Sequence, residues 1–259
     1  MKRVILLAAL CITTILTTQA QNPGDSPSVS GNGSTTASKP PKKPKKKIVI
    51  GVPTLADLPQ DLMETYAAKS TGKMGDKYRI NRQLVGLVTF KKLPETAFMF
   101  ANLRYDLLGN DLEVILNGVR RYLRSAKVKK FTILDGFAKY RFINTDFYDG
   151  EIKDKKGYFE IIEDGKVQLL KKTSIIQQVG SYNIAKSVGN KYGRVFQKQR
   201  YYLAKGEKLY PVKGKRQTIK LFNSFGFDTE KVIKENKLKV RRISNLKTLV
   251  KIYNSQVKK

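Results

Sequence analysis

The sequence predicts a mainly β protein, an antiparallel meander that forms a sandwich or a partly closed barrel, with a short N-terminal helix and small C-terminal helices. Two observations support this prediction. From Leu84 onward, apolar and aromatic residues recur with the alternating period of strands. Tight-turn dipeptides interrupt these runs at short intervals, which is typical of successive hairpins. They are Gly109-Asn110, Asn117-Gly118, Asp135-Gly136, Asp149-Gly150, Asp164-Gly165 and Lys205-Gly206.

The clearest of these hairpins lies in the stretch Gly157–Lys171 and turns at Asp164-Gly165. A type I′ turn needs φ > 0 at both central residues, and Asp followed by Gly tolerates that conformation. The first cross-strand pair would be opposite in charge and the second apolar on both strands, so both favour this register. The predicted pairs are Glu163 with Lys166, Ile162 with Val167, Glu160 with Leu169 and Phe159 with Leu170.

Residues 1–20 have the layout of a secretory signal peptide. Two basic residues precede an apolar segment over 4–16, and small residues lead to a cleavage site after Ala20. A retained anchor and lipidation at Cys11 are the alternatives, but the apolar run is short for a membrane span and the cysteine lies inside it. No later stretch has about 18 uncharged apolar residues, so we expect no transmembrane span after cleavage. We expect export to the periplasm, the outer membrane or the exterior.

Residues 21–47 have the composition of a disordered linker. Ser, Thr, Gly and Pro dominate its first part, which offers almost no apolar surface to bury. Its second part, Lys39–Lys47, interleaves lysines with prolines and should be extended and self-repelling. It is either a soluble spacer or a tether that contacts an anionic surface. The candidate contact residues are Lys42, Lys43, Lys45, Lys46 and Lys47.

Residues 48–259 are predicted to form one domain, mainly β as far as residue 212. A short strand is expected over 48–52. A helix should follow over 57–69, because Asp57 suits a helix cap and Pro59 the first turn. The alternating pattern then predicts strands over 83–91 and 97–107, followed by the series of hairpins.

The C-terminal part, residues 213–259, is predicted to be helical. A last hairpin over 201–212 precedes it. Helices are then expected over 215–222, 229–236 (capped by Asp228) and 244–253. Short amphipathic helices need a surface to pack on, so we expect them to cover the sheet.

The charge balance narrows the classes of partner. The chain has 51 Lys and Arg against 21 Asp and Glu, a formal net charge of +30. Such an excess favours anionic partners, namely nucleic acid, lipopolysaccharide, acidic glycan, anionic lipid or an acidic protein. The alternative is that the cations are scattered over solvated faces.

The residues that are absent exclude several chemistries. The chain has no histidine, and its one cysteine lies in the predicted signal peptide, so Ser-His-Asp and Cys-His catalysis and the usual zinc and haem ligand sets are ruled out. The densest acidic cluster, Asp146–Asp154, lacks EF-hand spacing and is interspersed with lysines. The segment Gly189–Gly193 lacks the spacing of a phosphate-binding loop. We therefore predict no catalytic residues, no cofactor and no metal site.

The strongest candidate for a binding surface alternates cations with rings. Two segments have this pattern, 120–131 and 191–202. In a strand, Arg194, Lys198 and Arg200 would share one face with Phe196, a pattern suited to following a polyanion. The alternative is that the rings lie in the core and the cations in solvent. We name Arg194, Lys198 and Arg200 as polyanion contacts together with the linker lysines.

The order of motifs resembles that of a group of uncharacterised exported proteins of Bacteroidota. The shared features are the hairpin Tyr158–Lys171, a second hairpin that runs from Tyr201-Tyr202-Leu203 to Leu209-Tyr210-Pro211, and a helical tail after Phe222. The resemblance covers roughly residues 84–255. It implies an exported location and a fold, and it does not imply any catalytic activity.

Three functions remain open on the sequence alone. The first is a non-enzymatic cell-envelope protein that binds or scaffolds a partner still to be identified. The second is a polyanion binder for lipopolysaccharide, acidic glycan or extracellular DNA. The third is a carboxylate-dependent hydrolase, for which the sequence offers no acid pair. Scattered cations would favour the first, one basic groove the second, and a buried acid pair the third.

Overall fold

The computed structural model describes residues 47–49, 58, 76–150, 152, 155–181, 188–189 and 193–256, all within one compact unit, Pro44–Lys259. The strands are β1 (Lys47–Val49), β2 (Leu84–Phe90), β3 (Thr96–Asp106), β4 (Asp111–Leu116), β5 (Val119–Leu123), β6 (Val128–Asp135), β7 (Ala138–Asn144), β8 (Tyr158–Glu163), β9 (Val167–Gln178), β10 (Arg194–Lys205) and β11 (Lys208–Pro211). The α-helices are α1 (Lys215–Ser224), α2 (Thr229–Glu235) and α3 (Ile243–Gln256). The mainly β fold with C-terminal helices is therefore confirmed.

The strands form one sheet that is not closed into a barrel. Its order is β11-β10-β9-β8-β7-β6-β2-β3-β4-β5, with antiparallel neighbours throughout, and β1 adds a parallel pairing to β3. Two meanders, β2–β5 and β6–β11, therefore meet where β2 pairs with β6.

The link between β5 and β6 shows that the sheet curls. Leu123 ends β5 and Val128 begins β6, so the link spans at most about 18 Å when extended. A flat sheet would separate these strands by four spacings, about 19 Å. The link also contains a turn, in which the Lys127 amide donates to the Arg124 carbonyl at 2.9 Å. The β2–β5 meander must therefore bend back towards β6.

Side chains enclosed by this curl form the first core. Tyr105, Phe131, Phe142 and Tyr158 are all buried there. The Phe131 and Phe142 rings stack at 4.4 Å between centroids, and Tyr105 and Tyr158 meet them edge-on. Such edge-to-face contacts add to the free energy of apolar burial.

The β8–β10 region is covered on both faces. On one face, α1–α3 pack Phe222, Leu249 and Tyr253 against strand residues such as Leu169 to form a second core. On the other face, a third core includes Tyr202 and the residues around it. The three helices thus cover the sheet as the sequence predicted, with Asp228 capping α2 through the Lys231 amide at 3.2 Å.

The predicted turn chemistry is confirmed at some positions and wrong at others. Asn117 and Gly118 have φ of 50° and 75°, as a type I′ turn requires. Asp135 instead belongs to β6 and pairs with Ala138, so the turn residues there are Gly136 and Phe137. Asp149-Gly150 is not a hairpin turn, because 13 residues separate β7 from β8 and Asp149 bridges to β11.

The predicted register of the β8–β9 hairpin is also wrong. The structure pairs Glu160 with Lys171 and Ile161 with Leu170, and an irregularity follows. Asp164 is not among the residues with positive φ, so the turn is not type I′. Asn254 of α3 instead binds the backbone at this turn through its side-chain amide.

Asn254 binds the hairpin through three hydrogen bonds. Its Oδ1 accepts from the Val167 amide at 2.9 Å, and its Nδ2 donates to the carbonyls of Val167 at 2.9 Å and Asp164 at 3.2 Å. Gly165, at φ 147°, lies against the same amide, and a Cβ there would overlap it.

The predicted N-terminal helix over 57–69 lies outside the described residues except for Leu58, which is buried in the first core. The signal peptide and almost all of the linker lie outside them too. Lys47, predicted to end the linker, is instead the first residue of β1. No helix among the described residues combines the length and apolar character needed to cross a membrane.

Candidate functional site: a basic groove beside β10

A groove lies where β10 runs on beyond its neighbour β11. The two strands pair only between Tyr202–Lys205 and Lys208–Pro211, and the last contact beyond them joins the Val212 amide to the Tyr201 carbonyl at 2.9 Å. Pro211 and Gly214 divert the chain into α1, since proline cannot extend a sheet and Gly214, at φ 151°, takes a conformation that other residues disfavour. The edge of β10 at Gln199 and Arg200 therefore opens into a hollow.

The groove consists of two adjacent hollows, together called the basic groove below. The larger has a volume of about 870 Å³ and is lined by Ile152, Lys155, Arg200 and Tyr202, among others. The smaller has about 460 Å³ and is lined by residues that include Lys215 and Arg241. Both hollows share Tyr201, Val212 and Lys213.

Five cations line the basic groove, namely Lys155, Arg200, Lys213, Lys215 and Arg241. Many cations elsewhere in the described residues form ion pairs, yet none of these five side chains does so within the part of the chain that the structure describes. Their charges are therefore left to attract an anionic ligand.

Tyr202 links the groove to the third core. Its side chain is buried, and its ring meets Phe159 at 5.2 Å. Burial raises the pKa of the Tyr202 hydroxyl, and the hydrogen bond and charge of Arg200 offset this only in part. The hydroxyl is thus a neutral hydrogen-bonding group on the floor of a cationic groove.

The three predicted contacts on β10 do share a face, but only one lines the groove. Arg194, Lys198 and Arg200 are alternate residues of β10, and Arg194 and Lys198 are exposed. Arg200 lines the larger hollow, while the other two continue away from it along the outer face. Of the predicted linker lysines, Lys47 belongs to β1 beside β3, and Lys42, Lys43, Lys45 and Lys46 lie outside the described residues.

The other basic and aromatic segment, 120–131, is part of the fold. Arg124 binds Asp111 at 2.7 Å, and Arg120 lies 3.6 Å from Glu113. The ring of Phe131 belongs to the first core. This half of the pattern matches the alternative stated from the sequence, since carboxylates compensate these cations.

Four carboxylates are buried in the described part of the chain, and each has a cation partner. Glu113 accepts from Arg104 and from the hydroxyls of Tyr78 and Tyr122, both at 3.0 Å. Burial alone would raise the pKa of Glu113, but the Arg104 and Tyr78 hydrogen bonds outweigh it and lower the pKa. Glu160 binds Arg79 at 3.0 Å and Lys171 at 2.8 Å.

The other two buried carboxylates, Asp106 and Asp111, face each other across β3 and β4. Asp106 binds Lys77 at 2.8 Å and the amides of Leu108 and Gly109, whereas Asp111 binds Arg124 and the Ser125 amide. These bonds fix turns, as is typical of structural carboxylates. Asp146, from the predicted acidic cluster, binds Lys91 at 2.6 Å.

Sequence reasoning missed Lys155, Lys213, Lys215 and Arg241. No local motif marks them, because they come from three separate loops and helix ends that meet only in the fold. The net charge of each segment does, however, indicate which part of the chain is most basic. Residues 193–256 have 17 Lys and Arg against 4 Asp and Glu, whereas residues 76–150 have 14 against 8.

Comparison with models of protein families, with curated proteins and with solved structures finds no match for this chain.

Proposed function

We propose that this protein is a non-enzymatic binding protein for anionic polymers, and that acidic glycans occupy the basic groove. The observation behind the proposal is the set of five groove cations with no ion pair among the described residues. Elsewhere in the described chain the buried carboxylates hold cations close by. A cluster of uncompensated cations in a concave site favours a ligand that brings its own negative charge.

The shape of the site favours a polymer over a single small anion. Two hollows lie side by side, and the exposed Lys198 and Arg194 extend the cationic track along the outer face of β10. Alternate residues of a strand repeat about every 7 Å. A chain with regularly spaced carboxylates, sulfates or phosphates can pair with such a track.

The placement of the rings favours a glycan over a nucleic acid. Binding of single-stranded nucleic acid relies on exposed ring faces on which bases stack. In the basic groove Tyr202 is buried and Tyr201 is half-buried, so neither offers a free platform. Hydroxyls and cations remain, and these suit the hydroxyl and acidic groups of a glycan.

A hydrolytic role is the weaker alternative. The nearest candidate for an acid pair, Asp106 and Asp111, is engaged with Lys77, Arg124 and backbone amides. Inverting and retaining glycosidases both need one carboxyl that is free to give up a proton.

The cellular location of the protein is part of the same proposal. We propose that residues 1–20 direct export to the cell envelope and that residues 21–47 tether the domain there, with Lys42, Lys43, Lys45, Lys46 and Lys47 adding non-specific attraction to anionic surfaces. The resemblance to exported proteins of Bacteroidota stays a prediction that agrees with this location.

The test is binding of heparin, lipopolysaccharide and DNA by the mature chain, titrated over salt concentration. Lys213→Gln combined with Arg241→Gln should weaken heparin binding and reduce the salt slope by about one to two, since each cation that contacts the polymer releases a counterion. The matched control is Lys231→Gln with Lys234→Gln, which removes the same charge from exposed positions on α2 outside the groove.

Equal weakening by both double variants would refute the groove, because charge alone would then explain binding. Binding that disappears when residues 21–47 are deleted would place the contact on the linker instead. DNA binding that is tighter than heparin binding at matched salt would contradict the choice of a glycan.

A further inference from the structure

The far ends of β9 and β10 form a two-stranded ribbon, called the distal ribbon below. Residues 172–178 pair with residues 194–200, whereas β8 reaches only to Lys171 and β11 only to Tyr202. One face of the ribbon lies against the rest of the chain. Ile175 packs on the first core, and Gln197 Nε2 donates to the Tyr78 carbonyl at 2.9 Å. The opposite, outer face is exposed at its far end, at Ile176, Gln178, Arg194, Phe196 and Lys198, whereas Lys172 on the same face is buried.

Exposed apolar side chains concentrate at the end of this ribbon. Eight large hydrophobic side chains of the described chain are exposed, and three of them, Ile176, Val179 and Phe196, lie here. Ile176 and Phe196 are cross-strand partners and are 44 % and 46 % exposed. Val179 follows β9 directly and is 81 % exposed. Such clustering marks a contact surface, whereas single exposed hydrophobics are ordinary.

Cations flank the apolar pair on the same face. Arg194 and Lys198 are two residues to either side of Phe196, and both are exposed. The surrounding sequence, residues 165–206, contains nine Lys and Arg and no Asp or Glu. The surface that covers the ribbon must therefore accept apolar side chains and supply negative charge at once.

We propose that the distal ribbon docks on an anionic lipid bilayer. Phe196, Ile176 and Val179 would enter the interfacial region, while Arg194 and Lys198 bind lipid phosphates. An anionic polymer in water would satisfy the cations but leave the apolar pair exposed, whereas a bilayer satisfies both. Arg194 and Lys198 also belong to the cationic track described above, so a bilayer and a glycan would compete for them. The apolar residues of the ribbon lie outside the basic groove, and the inference does not depend on the proposed glycan ligand.

The chain contains no tryptophan, so a single reporter can be placed on the ribbon. Phe196→Trp should show a blue-shifted emission with vesicles of phosphatidylcholine and phosphatidylglycerol, and brominated acyl chains should quench it. Phosphatidylcholine vesicles alone should have little effect, because they carry no net negative charge. The matched control is Phe137→Trp, at a fully exposed position in the β6–β7 turn.

Vesicle flotation of the mature protein supplies the second readout. Ile176→Ser with Phe196→Ser should lower partitioning onto anionic vesicles by about tenfold or more, because two apolar side chains no longer leave water. Phe137→Ser should not change it, and the groove variant Lys213→Gln with Arg241→Gln should bind vesicles nearly as the parent does. Circular dichroism verifies that each variant is folded.

Three results would overturn the proposal. Wild-type protein that does not float with anionic vesicles is one. Equal loss of binding in the Phe137 and Phe196 variants is another. The third is concentration-dependent self-association without vesicle binding that Ile176→Ser with Phe196→Ser abolishes, since the ribbon would then contact a second copy of the chain.

Discussion

The hydrogen bonds between Asn254 and the β8–β9 hairpin give the sharpest test of how this fold is held together. Asn254→Ala removes all three of them and leaves the buried amide and carbonyl of Val167 without that partner. Asn254 is 7 % exposed, so little water reaches the gap. The expected effect is a loss of stability without any change in the residues of the basic groove.

The size of the effect follows from the bonds. A net hydrogen bond contributes about 1 kcal/mol, and a buried group left unpaired costs about 1–3 kcal/mol. Three such bonds predict a decrease of about 2–4 kcal/mol in the free energy of unfolding. For a domain of this size each kcal/mol corresponds to roughly 2–4 °C in Tm, so Tm should fall by about 5–15 °C.

Urea unfolding monitored by circular dichroism measures the change in the free energy of unfolding, and hydrogen exchange at the Val167 amide measures the local effect. The control is Ser255→Ala, the next residue of α3, whose exposed hydroxyl bonds only within its own helix. A change of less than about 0.5 kcal/mol in Asn254→Ala with unchanged Val167 protection would refute the reasoning. Gly165→Ala offers a coupled test, because its added Cβ overlaps the Asn254 amide and should therefore cost less in the Asn254→Ala background.

Four further outcomes are expected from the same structure. Glu113→Gln should destabilise the protein by about 3–5 kcal/mol, because the partly buried Arg104 guanidinium then loses its buried carboxylate partner. Urea unfolding at neutral pH measures this change. Since the pKa of Glu113 is lowered below 4.5 on folding, its contribution is complete above about pH 4.5 and is lost as pH falls through the folded-state pKa; the Glu113→Gln variant should therefore show a flatter acid denaturation profile than wild type. Gly86→Ala should lower the free energy of unfolding by about 1–3 kcal/mol, because the added Cβ would overlap the buried Leu103 side chain and lie 3.0 Å from the Thr132 carbonyl oxygen. An unchanged Tm in thermal unfolding would contradict this expectation. Tyr158→Phe should be neutral or stabilising by up to about 1 kcal/mol, because the buried Tyr158 hydroxyl has no hydrogen-bond partner among the described residues. Tyr122→Phe should instead be destabilising, because it loses the hydrogen bond to Glu113. A lower Tm for Tyr158→Phe than for Tyr122→Phe would refute this assignment.

The elements of the fold could be predicted from the sequence wherever the signal is local. Strand periodicity located β2 and β3 to within one residue or so at each end, and amphipathic spacing located α1–α3. Asn117-Gly118 specified its own turn, because the required φ values are a property of those two residues. Local chemistry is sufficient for such features.

The register of the β8–β9 hairpin could not be predicted in this way. Its turn is bound by Asn254, which lies 87 residues from Val167 along the chain. Nothing near Asp164 signals that a side chain from α3 will bind the backbone at this turn. The same limit applies to the basic groove, whose cations come from distant segments and converge only after folding.

Part of the site was nevertheless visible in the sequence. Alternation along β10 placed Arg194, Lys198 and Arg200 on one face, as strand geometry requires. What alternation could not show was which cations already have partners. Arg124 resembles Arg200 in sequence context, but only the fold reveals that Asp111 lies 2.7 Å from the former.

The dependence of the hairpin on α3 has a consequence for the order of events during synthesis. A ribosome completes β8 and β9 long before it reaches residue 254, so the backbone groups at Asp164 and Val167 have no Asn254 to bind while the chain is nascent. The apolar face of Leu169 and Leu203 likewise waits for Phe222 and Leu249. Final locking of this half of the sheet therefore has to await synthesis of α3. A ribosome-stalled chain that ends before α3 should be cleaved by protease at the β8–β9 turn, where the full-length protein resists.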